Sequence, residues 1–443
     1  MEITGRFILV AENRKSKPKP VKHDLVSTLQ AGLARARGHC QVRPTRFALR
    51  RYGNVAIVIV AIATLSIGLS SCGANTGTQF ASAHPAHPIG YRVIVFAVNT
   101  VSFDVSAVDA ATGKVIRTIP VGRLSYAMAT SPNGEWGYVA DTGWGSTPGF
   151  TMIPVNLVTW KVGKPIRVGM GPFAIAITPN GKWAYVADMG KMTMKFAPRP
   201  ASGSAAVVPG SVKVVDAYTV TPVNLMTGKP GKPIRTGPGP GAIAITPNGK
   251  WAYVANSGSN TDYSGTVSGT VTPINLQTNK AGKPIRVGPG PMGIAITPNG
   301  KWAYVANAGW WGHMGDTVTP INLKTNKAGK PIPVGKAPIA IAITPNGKWA
   351  YVANSGYGLD DTVTPINLAT NTPLAPIKVG QGPDAIAITP DGKWAYVAAP
   401  GNTSPLNLLT PINLKTNKAS KPITVGLAPG GVAIARVPIF KNK

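Results

Sequence analysis

The chain has 443 residues, 51 of them glycine and 42 proline, with only 14% charged, a composition that points to many short elements joined by turns. Its formal charge is +30, from 45 Lys and Arg against 15 Asp and Glu, and a charge that large bears on partners and solubility rather than on fold. The two cysteines, Cys40 and Cys72, both precede the repeated part of the chain, which excludes a disulfide framework or a cysteine metal site there.

Residues 1–41 are basic and weakly periodic and read as a disordered extension, one that a translation start at Val42 would remove. Residues 42–72 contain Arg50 and Arg51, then the uncharged stretch 52–71, then Cys72. A basic region, an apolar run and small residues before a cleavage point are the parts of a secretory signal. The ending Leu69-Ser70-Ser71-Cys72 resembles the lipobox of bacterial lipoproteins, which implies lipidation of Cys72 as the mature N-terminus. An uncleaved anchor stays open, since about 20 uncharged residues can span a bilayer. Both alternatives put the rest of the chain on the extracytoplasmic side of the cell membrane. Residues 73–90 read as a tether.

From residue 91 onward the chain repeats itself. ITPNGKWAYVA occurs four times without change, at 177–187, 245–255, 296–306 and 343–353, and once more at 388–398 with Asp391 for Asn. Each unit parses into four short strands. AIAIT leads through a Pro-Asn-Gly-Lys turn to WAYVA, and a loop of variable length leads to TVTPINL, as at 317–323. A Lys-Thr-Asn-Lys turn then gives KPIxVG. Four antiparallel strands with a period near 46 predict an all-β, seven-bladed β-propeller of four-stranded antiparallel blades. The fourth strand recurs seven times, at 116–122, 165–169, 233–237, 284–288, 331–335, 376–380 and 422–426. The strand at 91–98 has no first strand before it, and the one at 431–435 has no second strand after it, so the two are expected to pair and close the ring. The propeller therefore spans residues 91–443.

Inner strands covered on both faces explain the apolar runs. The Trp column (Trp136, Trp183, Trp251, Trp302, Trp349, Trp394) and the Tyr column (Tyr138, Tyr185, Tyr253, Tyr304, Tyr351, Tyr396) are read as packing between blades rather than as a stacking platform. The phrase resembles the YVTN-type propeller repeat of YncE-like bacterial extracytoplasmic proteins and archaeal surface-layer proteins, here with Tyr-Val-Ala-Asn, as at 253–256. That resemblance covers roughly residues 91–435 and implies a fold more than a function.

Candidate functional residues lie where the copies disagree. One residue per blade faces the mouth of the ring: Tyr126, Phe173, Gly241, Met292, Ile339, Asp384 and Gly430. Propeller enzymes of lactonase type need several carboxylates, Asn or His converging on a metal or a proton. The repeats carry one histidine, His313, and one glutamate, Glu135, so catalysis is poorly supplied, and neither a cofactor nor a metal is expected. The Asn/Asp column (Asp141, Asp188, Asn256, Asn307, Asn354) is expected to bond the backbone of the following loop, with Ala399 breaking it in the sixth unit. Loop aromatics Trp144, Tyr263, Trp310, Trp311 and Tyr357 offer a surface for sugar or peptide, or else cap the blades beneath them. Met189, Met192 and Met194 suggest copper only weakly, because Lys191 and Lys195 interleave them.

The opposite end collects lysines: Lys182, Lys250, Lys301, Lys348 and Lys393 from the first turns, and thirteen more from the third-to-fourth turns. Only Glu135 and Asp391 are set against them. Such a face is expected to attract acidic envelope polymers, anionic headgroups or nucleic acid, unless the lysines merely solubilise the turns and guard strand edges. The sequence thus describes a monomeric, membrane-tethered binding or scaffold module for an envelope polyanion, glycan or protein. The rival readings are a lactonase-type enzyme and polyanion or DNA binding through the lysine face.

Overall fold

The repeated Thr-Pro-Asn-Gly-Lys-Trp string closes a tight hairpin, and the reason is local. Thr246 Oγ1 donates to Asn248 Oδ1 (2.7 Å), the Asn248 oxygen also accepts the Lys250 amide (3.0 Å), and Gly249 supplies the positive φ of 67°. The same bonds recur around Thr178, Thr297 and Thr344, and Asp391 serves where Asn is replaced.

A computed structural model describes residues 87–441 apart from 123, 145–146, 194–212, 216–217, 259–267, 311–312 and 402–406. Cys72 and the segments 1–41 and 42–72 lie outside the described residues. All regular structure among the described residues is β-strand, arranged as seven antiparallel blades. Blade 1 spans 125–167, blade 2 172–235, blade 3 240–289, blade 4 291–333, blade 5 338–378 and blade 6 385–424. Blade 4 shows the plan: Pro291–Ile296 inside, Trp302–Trp310 next, His313–Asn322 third, and an outer strand in two pieces, Lys327–Ala328 and Ile332–Pro333. Blade 7 joins the chain ends, with Pro429–Ile439 paired antiparallel to Gly90–Asn99, followed by Asp104–Asp109 and Lys114–Pro120.

Three expectations need correction in detail. The fourth strand is not one continuous KPIxVG run in the regular blades. Both of its pieces pair with the third strand, and the glycine between them bends back so that, in blade 4, Gly329 donates to the Pro320 carbonyl (2.7 Å). The innermost strands do pack on both faces, with Ile175 and Ile177 against the cluster shared with blade 1 and Ala174 and Ala176 against that shared with blade 3. Their burial is nonetheless incomplete: Phe173–Ile177 are all half-buried, whereas the second strand 184–188 is fully buried. That difference follows from position, because the first strands line the axis and the second strands lie inside the sheet. The two aromatic columns also separate. The tyrosines are 1–2% exposed, and the tryptophans are only partly buried at the edge of each core cluster.

Six of the seven joints between neighbouring blades carry one specific contact that the sequence reading did not anticipate. Tyr185, Tyr253, Tyr304 and Tyr351 donate their hydroxyls to Asn279, Asn326, Asn371 and Asn417 of the next blade, at 2.7–2.9 Å. These asparagines hold φ of 53–55°, a left-handed conformation that Asn adopts more readily than most residues. Three joints differ. Tyr396 donates to the Ala110 carbonyl (3.3 Å), and Phe96 of blade 7 packs on Trp160 of blade 1 with ring centroids 6.5 Å apart. For Tyr138 the position equivalent to Asn279 is Gly228, which also holds a left-handed φ but has no side chain, and among the described residues the Tyr138 hydroxyl has no hydrogen bond. Burial pushes the Tyr138 hydroxyl pKa up accordingly. Gly228→Asn is expected to supply the missing acceptor at a φ (67°) that Asn tolerates. The expected gain is about 0.5–1.5 kcal/mol, or roughly 1–3 °C in a thermal melt. A lower melting temperature would refute the equivalence of the joints.

Candidate functional site

At the mouth of the ring, the links between blades cross the Asn/Asp column so closely that only glycine fits. A Cβ at Gly169 would lie 2.4 Å from Asp188 Cγ, and one at Gly288 would lie 2.6 Å from Asn307 Cγ. The column itself bonds the third strand rather than the following loop, which corrects the expectation above. Asn307 Nδ2 donates to Thr317 Oγ1 (3.1 Å) and Thr319 Oγ1 (2.9 Å), Asn354 does the same with Thr362 and Thr364, and Asp188 accepts from Thr219 and Thr221. The Thr-x-Thr spacing of TVTPIN puts both hydroxyls on one face of the strand, where one carboxamide reaches them. These side chains fasten strands together and are not presented to a ligand.

The mouth residues form a ring of unequal members. Tyr126 and Phe173 stack with centroids 5.3 Å apart and planes at 25°. Gly430 leaves room for them, since a Cβ there would sit 3.1 Å from Tyr126 Cδ1. Gly241 lies beside the Met292 sulfur, and Ile339 presents its carbonyl to Gly293. Asp384 is the one carboxyl in this set; it accepts from Ser355 Oγ (3.0 Å), and burial pushes its pKa up to about 6. The Tyr126 hydroxyl pKa is raised first by burial and then by the Asp384 charge. Among the described residues, no group of three His, Cys, Asp or Glu side chains is placed to hold a metal ion.

The loop aromatics divide. Tyr357 caps its neighbour: its hydroxyl donates to the Gly309 carbonyl of blade 4 (2.7 Å), and its pKa is pushed up to about 12 by burial. Trp144 and Trp310 end hairpin strands opposite Thr147 and His313. Their side chains, together with Tyr263 and Trp311, lie outside the described residues. The insertion in blade 2 opens with a small hairpin in which Met192 is opposite Val214, and Met194 and Lys195 fall outside the description.

The other end of the ring is predominantly basic. Lys182, Lys250, Lys301, Lys348 and Lys393 are all exposed, and the carbonyl of each accepts the amide of Leu225, Leu276, Leu323, Leu368 or Leu414, which ties the first turn to the third-to-fourth turn of the same blade (2.9–3.0 Å). The two sets of lysines therefore share one rim. The thirteen lysines of the outer turns are exposed as well. Asp391 lies 3.8 Å from Lys393. Sequence reading missed a third acid at this end, Asp109, which is buried and held by Arg92 (3.1 Å); its place at the end of a third strand, where the other blades carry Asn, was the available signal. Grooves open between neighbouring blades on this face. One of about 520 Å3 between blades 3 and 4 is lined by Trp251, Trp302, Lys301 and Lys324, and one of about 310 Å3 between blades 1 and 2 is lined by Glu135, Trp136 and Met226.

The fold and its closure define the chain as a seven-bladed β-propeller. No protein-family model and no curated protein matches it. Solved structures share the architecture. Kuenenia stuttgartiensis hydrazine synthase is similar at 20% identity and a TM-score of 0.57, over 79% of this chain and 99% of that one. A functionally unknown protein from Desulfotomaculum acetoxidans is similar at 16% identity and TM-score 0.57, over 78% and 99%. A dihydro-heme d1 dehydrogenase is similar at 16% identity and TM-score 0.50, over 79% and 76%. At these identities the likeness concerns the fold alone.

Proposed function

We propose that the chain is a membrane-tethered, extracytoplasmic propeller that acts as a non-catalytic binding module, with its lysine-rich end engaging an anionic envelope polymer. The observation that carries this reading is the exposure of every turn lysine on one rim, against the acids Glu135, Asp391 and the already paired Asp109. Like charges gathered on one disc raise the local concentration of a polyanion and make its binding salt-dependent. The location rests on the sequence: the lipobox-like Leu69–Cys72 string and the YVTN-type phrase both support an extracytoplasmic protein. The non-catalytic reading is supported by the mouth, where one carboxyl, Asp384, stands among aromatic, apolar and glycine positions.

The test is a salt series with the full chain in mild detergent against an anionic polysaccharide. Binding is expected to weaken at least tenfold between about 50 and 300 mM salt, the range over which screening of exposed charges grows. Failure to bind at low salt, or binding indifferent to salt, would overturn the assignment of this face.

A further inference from the structure

We propose that the groove between blades 3 and 4 at the lysine-rich end is a subsite for one acidic sugar residue, a uronate of an anionic polysaccharide. The inference rests on the binding face proposed above and gives it a particular address. The cavity, about 520 Å3, falls within the range of small-molecule sites. It combines two kinds of group that such a sugar needs. Trp251 and Trp302 line it while remaining only partly buried, so indole surface is left for the apolar face of a pyranose ring. Lys301 and Lys324 line it too, both exposed and neither paired with an acid among the described residues, and they are placed for a carboxylate. Asn248 lies on the same wall, with its Oδ1 committed to the turn, leaving its Nδ2 as a donor for a hydroxyl.

The fold contains its own control. The groove between blades 1 and 2 is built from the same turns, yet Glu135 stands where blade 3 has Lys250, and Met226 where blade 4 has Lys324. It is also smaller, about 310 Å3. The residue types of the 3–4 groove recur between blades 5 and 6, but there Asp391 lies 3.8 Å from Lys393 and competes with an incoming carboxylate. Shape is therefore common to the joints. The 2–3 and 4–5 joints keep one lysine, Lys250 or Lys348, but carry Gln277 or Ala369 where blade 4 has Lys324, so a pair of uncommitted lysines beside paired indoles distinguishes the 3–4 joint. A phosphate chain or a DNA duplex would use the lysines but has no need of the indoles of this particular groove.

The experiment titrates a trigalacturonate into the full chain at about 150 mM salt, with polyphosphate and duplex DNA as parallel probes. The double variant Lys301→Met, Lys324→Met is expected to bind trigalacturonate at least tenfold more weakly. Lys229→Met, Lys232→Met, which removes the same charge elsewhere on the rim, should change it less than twofold. Trp251→Phe, which keeps an aromatic wall, should weaken trigalacturonate several-fold while leaving polyphosphate unchanged. Equal losses in both lysine pairs would overturn the groove and leave the basic face standing. Tighter binding of polyphosphate or DNA than of the uronate, each lost with Lys301 and Lys324, would replace the sugar by a phosphate polymer. Absence of binding by all three probes would overturn both proposals. Because the lysines are exposed, melting curves of the variants should overlay the parent's, and the comparison is made on variants that meet that condition.

Discussion

Removal of residues 430–443 is expected to collapse the ring. The deleted strand is the inner strand of blade 7, and it pairs with the whole of Gly90–Asn99. Its two faces serve different neighbours: Val432 and Ile434 pack in the cluster shared with blade 6, while Ala433, Ala435 and Val437 pack in the cluster shared with blade 1. Thr130 of blade 1 also donates to the Ile434 carbonyl (3.1 Å). Val437 is buried, and Val432 and Ile434 are partly buried. With full burial at about 1.5–3 kcal/mol per side chain, their loss removes several kcal/mol, a large fraction of the roughly 5–15 kcal/mol of a typical domain. The backbone groups of 90–99 would also become an open edge. A fall of more than about 10 °C in melting temperature is expected, accompanied by association through that edge. A monomer with an unaltered melting curve would show that the ring does not depend on this closure.

Asp188→Asn is expected to act in the opposite direction. Asp188 is 1% exposed and occupies a position where blades 3, 4 and 5 carry Asn. Burial pushes its pKa up to about 7, a rise that hydrogen bonds from Thr221, Thr219 and the Gly169 amide only moderate. Between the ordinary value of 3.8 and about 7, the folded chain therefore holds a proton on this carboxyl that the unfolded chain has released. Stability from this group is complete below 3.8 and declines as pH rises toward 7. The asparagine has no such penalty, and its Nδ2 can donate to the two threonines as Asn256 does to Thr270 and Thr272. The variant should match the parent near pH 3.5 and exceed it by about 2–4 kcal/mol at pH 8. Denaturant melts across that range would read the difference. A gain independent of pH would refute the titration, and a loss at pH 8 would refute the packing argument.

The fold was legible because its signals were written many times over. The Asn-Gly turns, the alternation of the strands and the unmatched strands at 91–98 and 431–435 each had one reading, and together they gave the blade count and the closure. The joints were not legible. Tyr253 meets Asn326, 73 residues away, and nothing in the local pattern of either residue announces the other. The tryptophan column does pack between blades, as its placement implied, since each ring lies against an inter-blade cluster; the extent of its burial was not legible. Identical placement in every blade reads as core, yet position within the blade leaves these rings at the rim, where repetition produces a series of half-open grooves. The Asn column was correctly assigned to structure but to the wrong partner, because the Thr-x-Thr face that receives it belongs to a strand across the loop. The lysines were legible as a face, since turn residues of equivalent hairpins must emerge together. Which joint on that face differs from the rest required the cavity.

The unlike contacts at three joints have a consequence for assembly. Blades 2 to 6 are held by four equivalent Tyr–Asn bonds and carry nearly the same words, so on that arc any wedge could accept any other as its neighbour. A nascent chain with interchangeable parts risks skipping one and closing early. The Phe96–Trp160 contact, the Tyr396 bond to a backbone carbonyl and the Tyr138–Gly228 gap fall consecutively, around the blade made from both ends. They work as an index mark: the repeated Tyr–Asn bond is absent on both sides of the closing blade, so a wedge of the regular arc is a poorer neighbour there than the one the chain supplies.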